Sequence, residues 1–123
     1  MKKKTILVLE DEPEINDLIC QNLKDEGHYT ISSLTGECAA TALAQIEVDL
    51  IITDINLPGM NGFDLLDFAQ NKGINVPKII ISGALDESFV DQLVNLGDYL
   101  LLTKPFEISS LLGKVKEAKK DKK

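Results

Sequence analysis

The chain has 123 residues, enough for one globular domain with a single core and too few for a second folded unit of ordinary size. Its net charge of -7 hides a split: nine of the thirteen lysines lie in residues 1–4 and 114–123, whereas residues 5–113 hold four lysines against eighteen carboxylates. Arginine is absent, and an acidic body without the guanidinium fork argues against direct nucleic-acid binding.

Between Lys2-Lys3-Lys4 and Glu10-Asp11-Glu12 the apolar run Ile6–Leu9 is too short for a signal peptide or a membrane span. Cys20 and Cys38 supply neither a disulfide framework nor a metal site, so the expected setting is a reducing cytoplasm without membrane insertion.

Thr5–Leu9 reads as a first strand; Ile15, Leu18, Ile19 and Leu23 then recur at helical spacing up to a stop at Gly27. His28 reads as a surface residue, and Tyr29–Ser33 as a second strand. Thr35 can cap a second helix with the stripe Ala39, Ala42, Leu43 and Ile46, after which Leu50–Thr53 forms a third strand ending at Asp54. Pro58-Gly59-Met60-Asn61-Gly62 is turn chemistry, followed by a third helix carrying Phe63, Leu66, Phe68 and Ala69 and a stop at Gly73. Val76–Ile81 is a fourth strand, with Pro77 near its start. A fourth helix around Phe89, Val90, Leu93 and Leu96 stops at Gly97. Tyr99–Thr103 makes a fifth strand, and Ile108, Leu111, Leu112 and Val115 mark a last helix.

The pattern is (βα)5. Strands that are unbroken apolar runs imply a sheet covered on both faces, hence an α/β fold with a doubly wound parallel five-stranded sheet. Ligands of such sheets bind at the carboxyl ends of the strands. The polar residues gather there: Glu10 and Asp11 after strand one, Asp54 at the end of strand three, Ser82 after strand four, Thr103 and Lys104 after strand five. Carboxylates brought to one crevice repel one another, and a hard divalent cation such as magnesium relieves that repulsion. A phosphoryl group bridged to the cation would need an ammonium and a hydroxyl, which Lys104 and Ser82 offer.

Five features in order resemble the receiver domain of two-component response regulators, from Lys4 to about Lys119. They are the acid pair in Ile6-Leu7-Val8-Leu9-Glu10-Asp11-Glu12-Pro13, Asp54, the following Leu57-Pro58-Gly59-Met60-Asn61-Gly62, Ser82-Gly83-Ala84, and Lys104-Pro105-Phe106 after Gly97-Asp98-Tyr99. The resemblance implies a flavodoxin-like fold with strand order 2-1-3-4-5. It implies Asp54 as phosphoacceptor, with magnesium held by Glu10, Asp11, Asp54 and the backbone carbonyl of Asn56. Lys104 would pair with a phosphoryl oxygen, Ser82 would bond another, and the Lys104-Pro105 peptide would be cis. The implied donor is a sensor histidine kinase or a histidine phosphotransfer protein. The implied output is a protein partner on the face made by helix four, strand five and helix five, with the option of a phosphorylation-dependent dimer.

One departure stands out. Most receivers have Tyr or Phe three residues before the lysine; here that position is Leu101, with Tyr99 two residues earlier. A phosphorylation-independent interaction module is therefore the alternative reading. An aspartyl phosphatase of the haloacid dehalogenase type would want a second Asp where Asn56 stands, and a flavin binder would find Glu10-Asp11-Glu12 hostile to phosphate. Residues 1–123 read as a single receiver domain with a lysine-rich end from 114. The resemblance implies a signalling domain that assists its own phosphorylation and dephosphorylation rather than an enzyme. Glu12 is expected in the first turn of helix one, where the helix dipole favours it. Cys20 and Cys38 are expected to be partly buried on opposite sheet faces and unpaired.

Overall fold

The computed structural model describes residues 3–83 and 99–118. The fourth predicted helix and Ala84 lie outside the described residues. Five parallel strands, β1 (Thr5–Leu9), β2 (Tyr29–Ser33), β3 (Leu50–Asp54), β4 (Lys78–Ser82) and β5 (Leu100–Thr103), form one sheet in the order β2-β1-β3-β4-β5. Helices α1 (Pro13–Asp25), α2 (Gly36–Gln45) and α3 (Gly62–Asn71) and a final helix (Ile108–Glu117) cover it.

Because successive side chains of a strand point to opposite faces, an unbroken apolar run supplies two cores at once. Ile6 and Val8 of β1, with Leu50 and Ile52 of β3 and Ile79 and Ile81 of β4, pack under α1 and the final helix. Leu7, Leu9, Ile51 and Ile80 face the other way, under α2 and α3. Most of these side chains are fully buried, which stabilises by roughly 1.5–3 kcal/mol each. The β1/β3 register is pinned at its start, where Asp49 donates its N–H to the Thr5 carbonyl and accepts the Thr5 N–H on Oδ2, both at 2.8 Å.

Helix signals are met where the sequence placed them. Thr35 caps α2 by accepting the Cys38 N–H at 3.1 Å, and Gly27 and Gly73 adopt positive φ after α1 and α3. Some expectations are corrected. The buried face of α1 is Asn16, Ile19, Cys20 and Leu23, so Leu18 is half exposed. The helix α2 stops at Gln45, which leaves Ile46 extended and exposed. Leu65 joins Phe63, Leu66 and Ala69 on the buried side of α3 while Phe68 packs partly buried against the same core, and β4 starts at Lys78, two residues after Val76. Glu12 sits one step before α1, as its N-cap residue. Both cysteines are free, on α1 and α2, but Cys38 is exposed.

His28 is not on the surface. It is buried, with Nδ1 accepting the Lys4 N–H at 3.1 Å. The turn after α1 folds back, with the His28 N–H on the Leu23 carbonyl, and this carries the ring under the start of β1. Lys4 also ties that end of the sheet to the final helix, its Nζ donating to the carbonyls of Val115 at 2.8 Å and Ala118 at 2.9 Å, a cation at the negative end of a helix.

Burial and the charge of Lys4 push the His28 pKa below its ordinary 6.5, only partly offset by Glu26. The unfolded chain therefore binds this proton more tightly, and His28 costs stability as pH falls below about 6.5 towards the folded value. In urea titrations at pH 7.5 and 5.5, the native sequence is expected to lose more stability over that interval than His28→Asn.

Candidate functional site

The carboxyl ends of four strands meet at one edge of the sheet. The register sets Leu9 opposite Ser33 and Thr53, Asp54 opposite Ile81, and Ser82 opposite Thr103, so the residues just beyond share a crevice. Asp54 is 2% exposed. Its Oδ1 accepts the Asn56 N–H at 2.9 Å, and its Oδ2 accepts from Lys104 Nζ at 2.6 Å. The same ammonium lies 3.1 Å from Glu10 Oε1. That second contact is a charge contact rather than an aligned hydrogen bond, so Glu10 Oε1, wholly buried, has no hydrogen-bond donor aimed at it.

Electrostatics follow from this packing. The Glu10 carboxyl is raised to about 7, chiefly by burial and further by the charge of Asp54, against the lowering pull of the Glu12 N–H on Oε2 and of Lys104. For Lys104, burial alone would lower the pKa, but its hydrogen bond to Asp54 and its pairing with the charge of Glu10 outweigh it and hold the ammonium above its ordinary 10.5. The crevice holds two buried carboxylates, Glu10 and Asp54, around one ammonium.

Oxygens from Glu10, Asp11 and Glu12 lie within 4.8 Å of one another. Glu10 is buried, Asp11 half-buried and Glu12 exposed. This donor set is all hard carboxylate oxygen, and with the buried, unaligned Glu10 Oε1 it fits a magnesium-type cation. Of the predicted ligands, Glu10 and Asp54 converge on Lys104, Asp11 stands beside Glu10, and Asn56 belongs to the turn that its N–H ties to Asp54. Ser82, 1% exposed, ends β4, and its carbonyl accepts the Lys104 N–H at 2.8 Å. The Lys104-Pro105 peptide is cis, as the sequence resemblance implied.

Residues 6–116 match the family model for the response regulator receiver domain. The chain belongs to that family. Among curated relatives, the transcriptional regulatory protein KdpE of Mycobacterium tuberculosis is 33% identical over 92% of this chain and 50% of its own length. Response regulator GtcR of Aneurinibacillus migulanus is 37% identical over 84% of this chain and 42% of its own. The chain spans about half or less of the length of these relatives. The CheY-like receiver domain protein of Methanospirillum hungatei superimposes with a TM-score of 0.87 at 28% identity, covering 94% of this chain and 93% of that one. No helix among the described residues of this receiver is long and apolar enough to cross a membrane.

Sequence reasoning missed one polar residue of the receiver's site. Asn16, fully buried in α1, donates from Nδ2 to the carbonyls of Glu10 and Ser33, both at 3.0 Å, and accepts from Ser32 Oγ at 2.6 Å and Cys20 Sγ at 3.3 Å. The signal was present as a polar residue at the i position of the i, i+3, i+4, i+7 stripe Asn16-Ile19-Cys20-Leu23, but a polar residue is ordinarily assigned to the wet face. Leu101, in the place usual for an aromatic ring, is half-buried and packs beside Tyr99 on the α2/α3 side. A groove of about 630 Å³ at the opposite edge, between Ile46 and Val48 and Ile74 and Val76, has Glu47 as its one ionisable lining residue and no part in this chemistry.

The segment after Asp54 is fixed by close approach. Asn61 and Asp64 form a capping box at the start of α3, with bonds of 3.0 and 3.1 Å, and Met60 packs directly on Gly36 of α2. At Gly62 an added Cβ would lie 2.6 Å from the Asp54 carbonyl oxygen and 2.9 Å from Thr53 Oγ1. Those are backbone and buried atoms that cannot give way cheaply. Gly62→Ala is therefore expected to destabilise the receiver by about 1–3 kcal/mol in urea unfolding, although alanine is the better helix former.

Proposed function

We propose that this receiver accepts a phosphoryl group on Asp54 from a phosphohistidine of a sensor histidine kinase or a histidine phosphotransfer protein. The observation that carries the reading is the Lys104 ammonium, 2.6 Å from Asp54 and 3.1 Å from Glu10, which brings the acceptor, one member of the acid pair and a countercharge to one point. In the transfer, a carboxylate oxygen of Asp54 forms the new O–P bond as the P–N bond breaks. The electron pair leaves on the imidazole nitrogen, which takes up a proton, and Asp54 becomes an acyl phosphate. Lys104 neutralises one negative charge during approach and afterwards pairs with a phosphoryl oxygen; the Ser82 hydroxyl donates to another. Glu10, Asp11, Asp54 and the Asn56 carbonyl would hold Mg2+, which supplies, when bound, the positive charge that lets carboxylates and phosphoryl oxygens share the crevice.

In this reading residues 1–123 are one receiver domain, cytoplasmic, with state-dependent partner binding on the face to which β5 and the final helix contribute, and with phosphorylation-dependent dimerisation through the same face. The phosphorylation-independent alternative draws no support from the crevice, which retains the residue types a phosphoacceptor needs: Glu10, Asp11, Asp54, Ser82 and Lys104. With Leu101 instead of an aromatic ring, the rearrangement of β5 on phosphorylation is small. Large chemical-shift changes at Leu101 on phosphorylation would count against that point.

Incubation with acetyl phosphate and magnesium, followed by intact-mass spectrometry, tests the acceptor. One phosphoryl group is expected on the native chain, none with EDTA, and none on Asp54→Ala. Full labelling of Asp54→Ala would overturn the assignment.

A further inference from the structure

The turn from β1 to α1 carries Glu10, Asp11 and Glu12 in sequence, and it is held from both ends by one residue. The Asn16 side chain donates to the Glu10 carbonyl at 3.0 Å, and the Asn16 backbone N–H donates to the Glu12 carbonyl at 2.9 Å. The second Nδ2 hydrogen goes to the Ser33 carbonyl at 3.0 Å, the same carbonyl that accepts the Glu10 N–H at 3.1 Å. Both backbone polar groups of Glu10 are thereby fixed to the end of β2, one directly and one through the amide.

The amide itself is not free to flip. Its Oδ1 accepts from Ser32 Oγ at 2.6 Å and from Cys20 Sγ at 3.3 Å, and neither contact would suit an NH2 group as well. The residue is 0% exposed in a helix face otherwise made of Ile19, Cys20 and Leu23. A leucine there would extend the core without a polar atom to satisfy. An asparagine meeting four partners across the β1–α1 turn, β2 and α1 instead sets geometry.

We infer that Asn16 is a positioning residue for the acid pair: it fixes where the β1–α1 turn presents Glu10 and Asp11 to a divalent cation. It touches neither cation nor phosphoryl group and acts through the Glu10 carbonyl. The inference rests on the proposed reading of the site as a magnesium-dependent receiver. Partners that orient a metal ligand from behind typically change metal affinity by about 10–100-fold when removed.

Magnesium titration followed by backbone amide shifts of residues 54–57 gives an affinity independent of phosphorylation. Three variants are compared with the native chain: Asn16→Leu, Ser32→Ala, and Leu23→Ala as a destabilised control in the same helix that touches nothing in the turn. Asn16→Leu is expected to weaken magnesium about ten-fold or more, on the scale seen for such orienting partners. Ser32→Ala, an exposed position that folds without difficulty, removes one anchor of the amide and is expected to weaken it by about two- to five-fold, a fraction of the same effect. Leu23→Ala is expected to leave the affinity unchanged while losing comparable stability in urea.

Native-like affinity in Asn16→Leu, or an equal loss in Leu23→Ala, would overturn the inference and reduce Asn16 to a core hydrogen-bond hub. Should Asn16→Leu not fold, Ser32→Ala decides alone, native affinity overturning and reduced affinity supporting. A native chain that shows no magnesium response at all would instead strike the receiver reading of the site, a failure distinct from that of Asn16.

Discussion

A single ammonium between two buried carboxylates is the constraint around which this molecule is arranged. Asp54 and Glu10 are 2% and 0% exposed, and buried carboxylates without a countercharge would be costly in any fold. Lys104 meets both. The order β2-β1-β3-β4-β5 makes this demanding, because β5 lies two strands from β3 and three from β1. At about 4.8 Å between neighbours, β5 is roughly 10 Å from the strand of Asp54. The gap is closed by the Lys104 N–H bonding back to the Ser82 carbonyl and by the four-carbon stem of the side chain. Arginine, which the chain lacks altogether, would bring a planar fork where a compact, movable charge is used.

Much of this arrangement was legible in the sequence. Unbroken apolar strands announced a sheet covered on both faces, and Ile6/Val8 against Leu7/Leu9 show why no alternation was visible: both faces are core. Given parallel strands, the polar residues after each apolar run had to meet at one edge. That Glu10, Asp54, Ser82 and Lys104 are found together thus follows from topology more than from any local signal. The order of the strands was different: it came from the resemblance, since no residue pattern in the chain distinguishes one doubly wound order from another.

What escaped has a common cause, polar and apolar residues standing against their usual side. Reading Ile15, Leu18, Ile19 and Leu23 as the stripe of α1 rotates the helix away from its true buried face, because the residue that completes that face is Asn16. His28 was set on the surface because it follows a helix-stopping glycine, yet a neutral imidazole is a good acceptor for the Lys4 N–H, and that bond draws it inward. Ile46 failed for a simpler reason: α2 ends one residue before it, and an apolar residue beyond a helix end follows the loop rather than the helix period. In each case a hydrogen bond or a chain end, invisible to periodicity, decided the side.

The site also divides its residues by freedom of movement. The turn carrying Glu10 and Asp11 is tied by backbone bonds to Ser33 and by the Asn16 amide, and the turn after Asp54 is tied by the Asn56 N–H, the Asn61/Asp64 capping box and the close approach of Gly62. Lys104 is tied at its backbone to Ser82, and its ammonium reaches Asp54 and Glu10 on a long four-carbon stem, the side chain one-fifth exposed. Rigid acids suit a cation, since hard ligands at fixed positions lose little entropy on binding it. Under the proposed function, an ammonium on a long stem suits an exchange of partners, because it can neutralise the carboxylates first and then follow the negative charge outward to a phosphoryl group.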